Sequence, residues 1–112
     1  MSVKIMFLVN PAASSVTPRT QVVIQKALSA DHQVTLAETI RRDHATRLAR
    51  EAAQNKYDLV VVLGGDGTSN EAANGVAGTS TALAILPGGS TNVFARTLGL
   101  PDDPVEATGI LL

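Results

Sequence analysis

One stretch near the middle of the chain constrains its fold more than any other. Four apolar residues, 60–63, lead directly into Gly64-Gly65-Asp66-Gly67-Thr68, and residues 70–75 then carry the start and stop signals of a helix. A short, wholly apolar run predicts a strand that is covered on both faces. Strand, glycine loop and helix in this order is typical of phosphate sites, because glycine lets the backbone approach an anion and the helix N-terminus offers free N–H groups.

The acid inside this glycine loop narrows the prediction. Asp66 would repel a phosphate group unless a cation lay between the two charges. Carboxylates bind Mg²⁺, and Mg²⁺ is commonly shared between one or two protein carboxylates and the phosphates of a nucleotide. Asp66 therefore predicts a divalent metal on a bound nucleotide.

The rest of the chain alternates between strand and helix patterns. Apolar runs predict strands over residues 3–9, 34–40, 59–63 and 82–86. Helical spacing predicts helices over residues 18–30, with Thr17 as N-cap, 43–56, with Asp43 as N-cap, 70 to 75 or 78, and 92–98. The expected core includes Val22, Ile24, Leu28 and Leu48, whereas His32 and His44 have no partner spacing and are expected at the surface. Such alternation predicts an α/β fold, a doubly wound parallel sheet with helices on both faces.

The candidate binding residues all follow predicted strands. Asn10, Thr39, residues 64–68 and residues 88–91 come at or just past the four strand ends. Open parallel sheets bind ligands at the carboxyl ends of their strands. We therefore expect these four segments to share one rim of the sheet.

Composition excludes several classes of function. The net charge of −1 gives no support for nucleic-acid binding, and the absence of cysteine excludes disulfides and thiolate chemistry. The apolar run at the N-terminus is too short for a signal peptide, and no segment approaches the 18–20 apolar residues of a membrane span. We expect a cytoplasmic protein.

The last residues predict a continuation of the protein. Residues 103–106 have the pattern of a helix start, but the chain stops shortly after, on Ile110-Leu111-Leu112. We expect the 112 residues to be the N-terminal piece of a longer protein, and the apolar end to promote homo-oligomers.

Three elements together resemble the diacylglycerol kinase catalytic domain, a family of lipid kinases related to sphingosine and ceramide kinases and, more distantly, to NAD kinases and phosphofructokinases. They are Asn10-Pro11 after the first strand, residues 64–68, and the segment Leu86-Pro-Gly-Gly-Ser-Thr-Asn-Val-Phe-Ala-Arg96. The resemblance extends over essentially the whole chain. Val93 departs from the family, which usually has an acid at this position.

The resemblance implies that residues 1–112 form the nucleotide-binding N-terminal domain of an ATP-dependent lipid kinase. It implies a second, β-rich domain that holds the lipid acceptor, such as diacylglycerol, together with the general base, and a peripheral membrane contact of the longer protein. It implies that Asp66 acts through Mg²⁺. Because neither glycine loop contains a lysine, we expect charge neutralisation to fall to Mg²⁺, backbone N–H groups and Arg41 or Arg96. The implied nucleotide-binding residues are Asn10, Pro11, Ser14, Thr39, Gly64, Gly65, Asp66, Gly67, Thr68, Asn70, Glu71, Gly88, Gly89 and Thr91.

Two alternatives remain open at the level of sequence. The first is a kinase that acts on another acceptor, a sphingoid base or NAD. The second is a nucleotide-binding module without catalysis. A Rossmann dehydrogenase is disfavoured, because its glycine fingerprint belongs after the first strand, where this chain has Asn10-Pro11-Ala12.

Overall fold

The computed structural model describes residues 3–13 and 16–86, which form one parallel sheet with helices on both faces. The strands are β1 (Lys4–Val9), β2 (Gln33–Glu38), β3 (Leu59–Leu63) and β4 (Ala82–Leu86), in the spatial order β2-β1-β3-β4. The helices are α1 (Pro18–Ser29), α2 (His44–Gln54) and α3 (Asp66–Val76). All three strand pairs are parallel, which confirms the predicted fold class.

The core lies on both sides of the two central strands. Ile5, Phe7 and Val9 face α1, whereas Met6 and Leu8 face α2 and α3, as the two-residue period of a strand requires. The three valines and Leu63 of β3 alternate in the same way and are fully buried. This double burial explains why β1 from Ile5 onward and β3 are apolar in sequence, while β2 at the edge mixes polar and apolar residues.

Helix α1 begins as its sequence predicts but buries a narrower face. Thr17 is the N-cap, and its side chain accepts a hydrogen bond from the Thr20 N–H. Ile24 and Leu28, one turn apart, are buried against the sheet. The prediction that Val22 belongs to the core is wrong: its side chain is 48% exposed, because it lies two positions before Ile24 and thus on the opposite side of the helix.

Helices α2 and α3 pack closely on the other face of the sheet. Ala45, Ala49 and Ala52 form the buried face of α2, and a Cβ added to Gly75 of α3 would lie 2.6 Å from the Ala49 Cβ and 2.5 Å from the Thr46 carbonyl oxygen. Leu48 is partly buried and packs against the same cluster. Small residues on both helices thus set the distance between them.

Several predicted boundaries need correction. Helix α3 begins at Asp66, inside the glycine loop, and not near residue 70; Gly65 has the extended backbone of an N-cap, and packing on the sheet outweighs the poor helix propensity of Gly67. The helix ends at Val76, with Gly78 in the left-handed conformation (φ 74°) beyond it. Strand β2 ends at Glu38, so Thr39 follows it.

The predicted cap of α2 is also different in detail. Asp43 occupies the N-cap position, but it has left-handed backbone angles (φ 67°) and its side chain makes no capping hydrogen bond. None of the helices in the described part of the chain is long and apolar enough to cross a membrane.

Candidate functional site

An open cleft of about 370 Å³ lies at the carboxyl ends of β1, β2 and β3. Val9 pairs with both Glu38 and Leu63, so β1, β2 and β3 end at the same level of the sheet. The residues that follow the three strands therefore begin side by side. The cleft is lined by Asn10, Ala12, Thr39, Ile40, Arg41, Arg42, Gly67, Thr68 and Glu71. Three of the four segments predicted to share a rim therefore do so; the fourth, residues 88–91, lies outside the described residues.

Asn10 and Thr68, which both line the cleft, connect the loop after β1 directly to α3. Asn10 donates from Nδ2 to the Thr68 Oγ1 at 3.1 Å, its Oδ1 accepts from the Ala12 N–H at 3.0 Å, and its own N–H donates to the Leu63 carbonyl at 3.0 Å. All polar atoms of the Asn10 side chain are thus engaged in shaping the loop. Gly64 lies beneath this link, where an added Cβ would come within 3.1 Å of both Asn10 and Thr68.

The N-terminus of α3 forms one wall of the cleft, and no side chain in residues 3–13 and 16–86 caps it. Gly65 offers no side chain to the first-turn N–H groups, and the Ser69 N–H is the first that bonds back, to the Gly65 carbonyl at 3.1 Å. Nothing within 4 Å would meet a Cβ at Gly67, whose backbone is exposed and adopts no positive φ. Contacts among the described residues therefore give no reason for a glycine at position 67, whereas close approach of a ligand to the backbone would.

The opposite wall is the turn between β2 and α2. The Thr39 N–H donates to the Val9 carbonyl at 2.9 Å and continues the β1–β2 ladder by one residue. Ile40 is 76% exposed at the rim, and Arg41 and Arg42 follow it on the exposed turn. This wall combines one apolar side chain with two positively charged side chains. It leads into the N-terminus of α2, where the helix dipole places partial positive charge.

Glu71 lies between the two walls, one turn after Gly67 on α3. Its Oε1 accepts a hydrogen bond from the Ala45 N–H in the first turn of α2 at 3.3 Å, and its backbone carbonyl accepts from the Thr46 Oγ1 at 2.9 Å. The side chain is partly buried. The carboxylate thus lines the cleft and at the same time bonds to the neighbouring helix.

The other predicted residues are distributed around the cleft. Asp66 is exposed at the first position of α3 and Asn70 is exposed one turn later; neither lines the cleft. Gly65 precedes α3, and Pro11 borders a separate open groove of about 290 Å³ beside α1. Ser14, Gly88, Gly89 and Thr91 lie outside the described residues, as do Val93, Arg96 and the C-terminal residues 110–112.

Sequence reasoning missed the contributions of Ile40 and Arg42 to the cleft, and it predicted both histidines only as surface residues. His44 accepts from the Ile40 N–H through Nδ1 at 3.0 Å, and His32 accepts from the Val3 N–H at 3.1 Å. The available signal was the position of these residues in the sequence. Ile40 to Arg42 directly follow a strand, and the neighbouring strands are followed by predicted binding residues.

The donor set limits how a metal could be held. Within residues 3–13 and 16–86, no three acidic, histidine or cysteine side chains come together as a metal cluster. Asp66 offers a free carboxylate at the N-terminus of α3, whereas the Glu71 carboxylate bonds to α2. This arrangement fits an Mg²⁺ ion that one carboxylate shares with phosphate oxygens and water, and it does not fit a cage made by protein ligands alone.

Comparison with known sequences shows that this chain is similar to lipid kinases. A sequence model of the family described as "Diacylglycerol kinase catalytic domain" matches residues 4–112. A "Diacylglycerol kinase" of Bacillus subtilis (strain 168) is 40% identical over 85 residues, which cover 74% of this chain and 28% of that protein. A protein of Chromohalobacter salexigens, named "Probable lipid kinase YegS-like", is 36% identical over 110 residues, which cover 95% of this chain and 35% of that protein.

Solved structures agree with the sequence matches. A crystal structure described as a diacylglycerol kinase from Bacillus anthracis str. Sterne superposes with a TM-score of 0.84 and 35% sequence identity, covering 96% of this chain and 41% of that one. The chain thus spans between about a quarter and two fifths of the length of the relatives it matches.

Proposed function

This chain belongs to the diacylglycerol kinase catalytic domain family, and from this premise we propose that it forms the nucleotide-binding part of an ATP-dependent lipid kinase. The lipid acceptor, with diacylglycerol as the first candidate, and the general base would then come from a second domain of the longer protein. A contact of that longer protein with the membrane surface is part of the same proposal.

One observation carries the proposal: an uncapped helix N-terminus forms the wall of a cleft at the carboxyl ends of three parallel strands. The free N–H groups of Asp66, Gly67 and Thr68 are oriented for an anion, and Gly67 leaves the space that a phosphate needs. Thr39 and Ile40 on the opposite wall would meet the uncharged part of the nucleotide. Arg41 supplies positive charge near by.

The chemistry asks little of the protein beyond placement. In a kinase of this kind, a lipid hydroxyl oxygen attacks the γ-phosphorus and gives its proton to the general base, while the bond between that phosphorus and the bridging oxygen breaks and ADP leaves. The residues of this chain would bind and orient the phosphates through backbone N–H groups and the Thr68 hydroxyl, and Asp66 would hold Mg²⁺. The ion, when bound, would offset the negative charge of the phosphates.

Calorimetric titration with ATP, with and without Mg²⁺, tests the proposal on the wild-type chain and on Asp66→Asn. We expect binding that requires Mg²⁺ and that weakens by about tenfold or more in the variant, since one metal ligand is lost. Asp31→Asn is the matched control, because Asp31 is an exposed acid just before β2, at the end of the strand opposite the cleft.

The outcomes separate the parts of the proposal. Binding that is independent of Mg²⁺ and equal in Asp66→Asn would remove Asp66 from the metal role. Absence of any binding by folded wild-type chain would contradict nucleotide binding by these 112 residues.

A further inference from the structure

The N-terminus of α2 is not capped by its own sequence. The first N–H groups of a helix have no partner within the helix, and an Asp at the N-cap position commonly supplies one. Asp43 occupies that position, but its left-handed backbone (φ 67°) leaves the side chain without a capping hydrogen bond. The first turn of α2 therefore depends on another element.

Glu71 of α3 provides the missing partner. Its Oε1 accepts from the Ala45 N–H at 3.3 Å, and the Thr46 hydroxyl donates to its carbonyl oxygen at 2.9 Å. One turn later on α3, the close approach at Gly75 fixes the distance between the helices. A single residue thus bonds twice to the first turn of α2.

The first turn of α2 in turn carries one wall of the cleft. The His44 Nδ1 accepts from the Ile40 N–H at 3.0 Å, and the His44 N–H donates to the Arg41 carbonyl at 3.3 Å. Because His44 is the first residue of α2, Ile40 and Arg41 are joined directly to the helix end that Glu71 holds. The other wall, at Gly67 and Thr68, lies on the same helix as Glu71 itself.

We propose that Glu71 is a positioning residue, which sets the width of the cleft by capping α2 from α3, and that its carboxylate does not contact the metal or the nucleotide. From the sequence, Glu71 was expected to bind in the phosphate and metal region. As a positioning residue it would lie in the same cleft but act only through α2. This role rests on the proposed nucleotide binding only for its effect on affinity.

Two substitutions distinguish a cap from a ligand. In Glu71→Gln the amide oxygen can still accept from the Ala45 N–H, but the charge that a metal ligand needs is gone. In Glu71→Ala the acceptor is lost altogether. We expect ATP affinity within about threefold of wild type for Glu71→Gln and at least about tenfold weaker for Glu71→Ala, because the loss of a helix cap lets the wall move.

Hydrogen exchange at the Ala45 amide gives a second readout that does not depend on a ligand. The Ala45 N–H should be protected in wild type and in Glu71→Gln, and should exchange about tenfold faster in Glu71→Ala. Glu51→Ala is the matched control, since Glu51 is an exposed acid on α2 away from the cleft, and it should change neither readout.

Each result decides the proposal. A loss of affinity in Glu71→Gln as large as in Glu71→Ala, and confined to Mg²⁺-containing buffer, would make Glu71 a ligand and overturn it. Unchanged Ala45 exchange in Glu71→Ala would also overturn it. If Glu71→Ala does not fold, Glu71→Gln alone decides. If wild type binds no ATP, nucleotide binding fails, and the exchange measurement still decides whether Glu71 is the cap.

Discussion

Gly67 and Thr68 show how neighbouring residues at one helix end can have different tasks. The Thr68 side chain is 7% exposed and its oxygen accepts from Asn10, so it holds the loop, and its O–H would donate to the phosphate that we propose. Gly67 is exposed, has open space around its Cα and lines the cleft. No contact within residues 3–13 and 16–86 explains its residue type, and the ligand that we propose would.

The substitution Gly67→Ala should separate stability from binding. Alanine favours a helix over glycine, so we expect the free energy of unfolding to rise by about 0.5–1 kcal/mol. The new methyl group would occupy the space in front of the first-turn N–H groups, and ATP should bind about tenfold more weakly. Denaturant unfolding and calorimetry on one preparation measure both effects. Unchanged ATP affinity would show that the ligand does not approach Gly67.

The hydrogen bond between Asn10 and Thr68 should contribute measurably to stability. A double-mutant cycle with Asn10→Ala, Thr68→Val and the combined variant should give a coupling energy of about 0.5–1.5 kcal/mol, as expected for a partly buried hydrogen bond between neutral groups. Denaturant unfolding provides the four free energies. Additive effects of the two substitutions would mean that the link does not hold the loop in solution.

At the scale of the element, α3 contains two glycines, at positions 67 and 75, for opposite reasons. An added Cβ at position 75 would lie 2.5 Å from the Thr46 carbonyl oxygen, whereas one at position 67 would meet nothing. We expect Gly75→Ala to lower the free energy of unfolding by about 1–3 kcal/mol despite its better helix propensity. Gly67→Ala is the matched control in the same helix, with the opposite sign expected. Equal effects in denaturant unfolding would contradict the close approach of α2 and α3.

The element scale also shows where sequence reasoning succeeded. Thr17 before Pro18 predicted the start of α1 correctly, because a cap depends on residues that are close in sequence. The start of α3 was predicted too late in the sequence, because Gly64, Gly65 and Gly67 are typical of a loop. That Gly67 is helical follows from the packing of α3 on the sheet. The cap of α2 comes from Glu71, 26 residues beyond Ala45, and no local pattern reports such a contact.

For the whole molecule, apolar runs and their alternation with helices were sufficient to predict the parallel sheet and to bring the segments after β1, β2 and β3 together at its carboxyl ends. They did not decide which of two opposite apolar sides of α1 is buried, that of Val22 or that of Ile24, since this depends on how the helix lies on the sheet. Position after β2 was the available signal for the turn from Ile40 to Arg42, but that this turn faces the cleft follows only from the packing of α2.

The link between Asn10 and Thr68 joins residues 58 positions apart, across two complete crossovers of the chain. Contacts of this separation form late, after the entropy of closing the long loop has been lost. The cleft therefore cannot exist in a growing or partly folded chain that lacks β3 and the start of α3. Appearance of nucleotide affinity during refolding would thus mark the completion of the sheet, and a rapid-mixing experiment with a fluorescent nucleotide could time it.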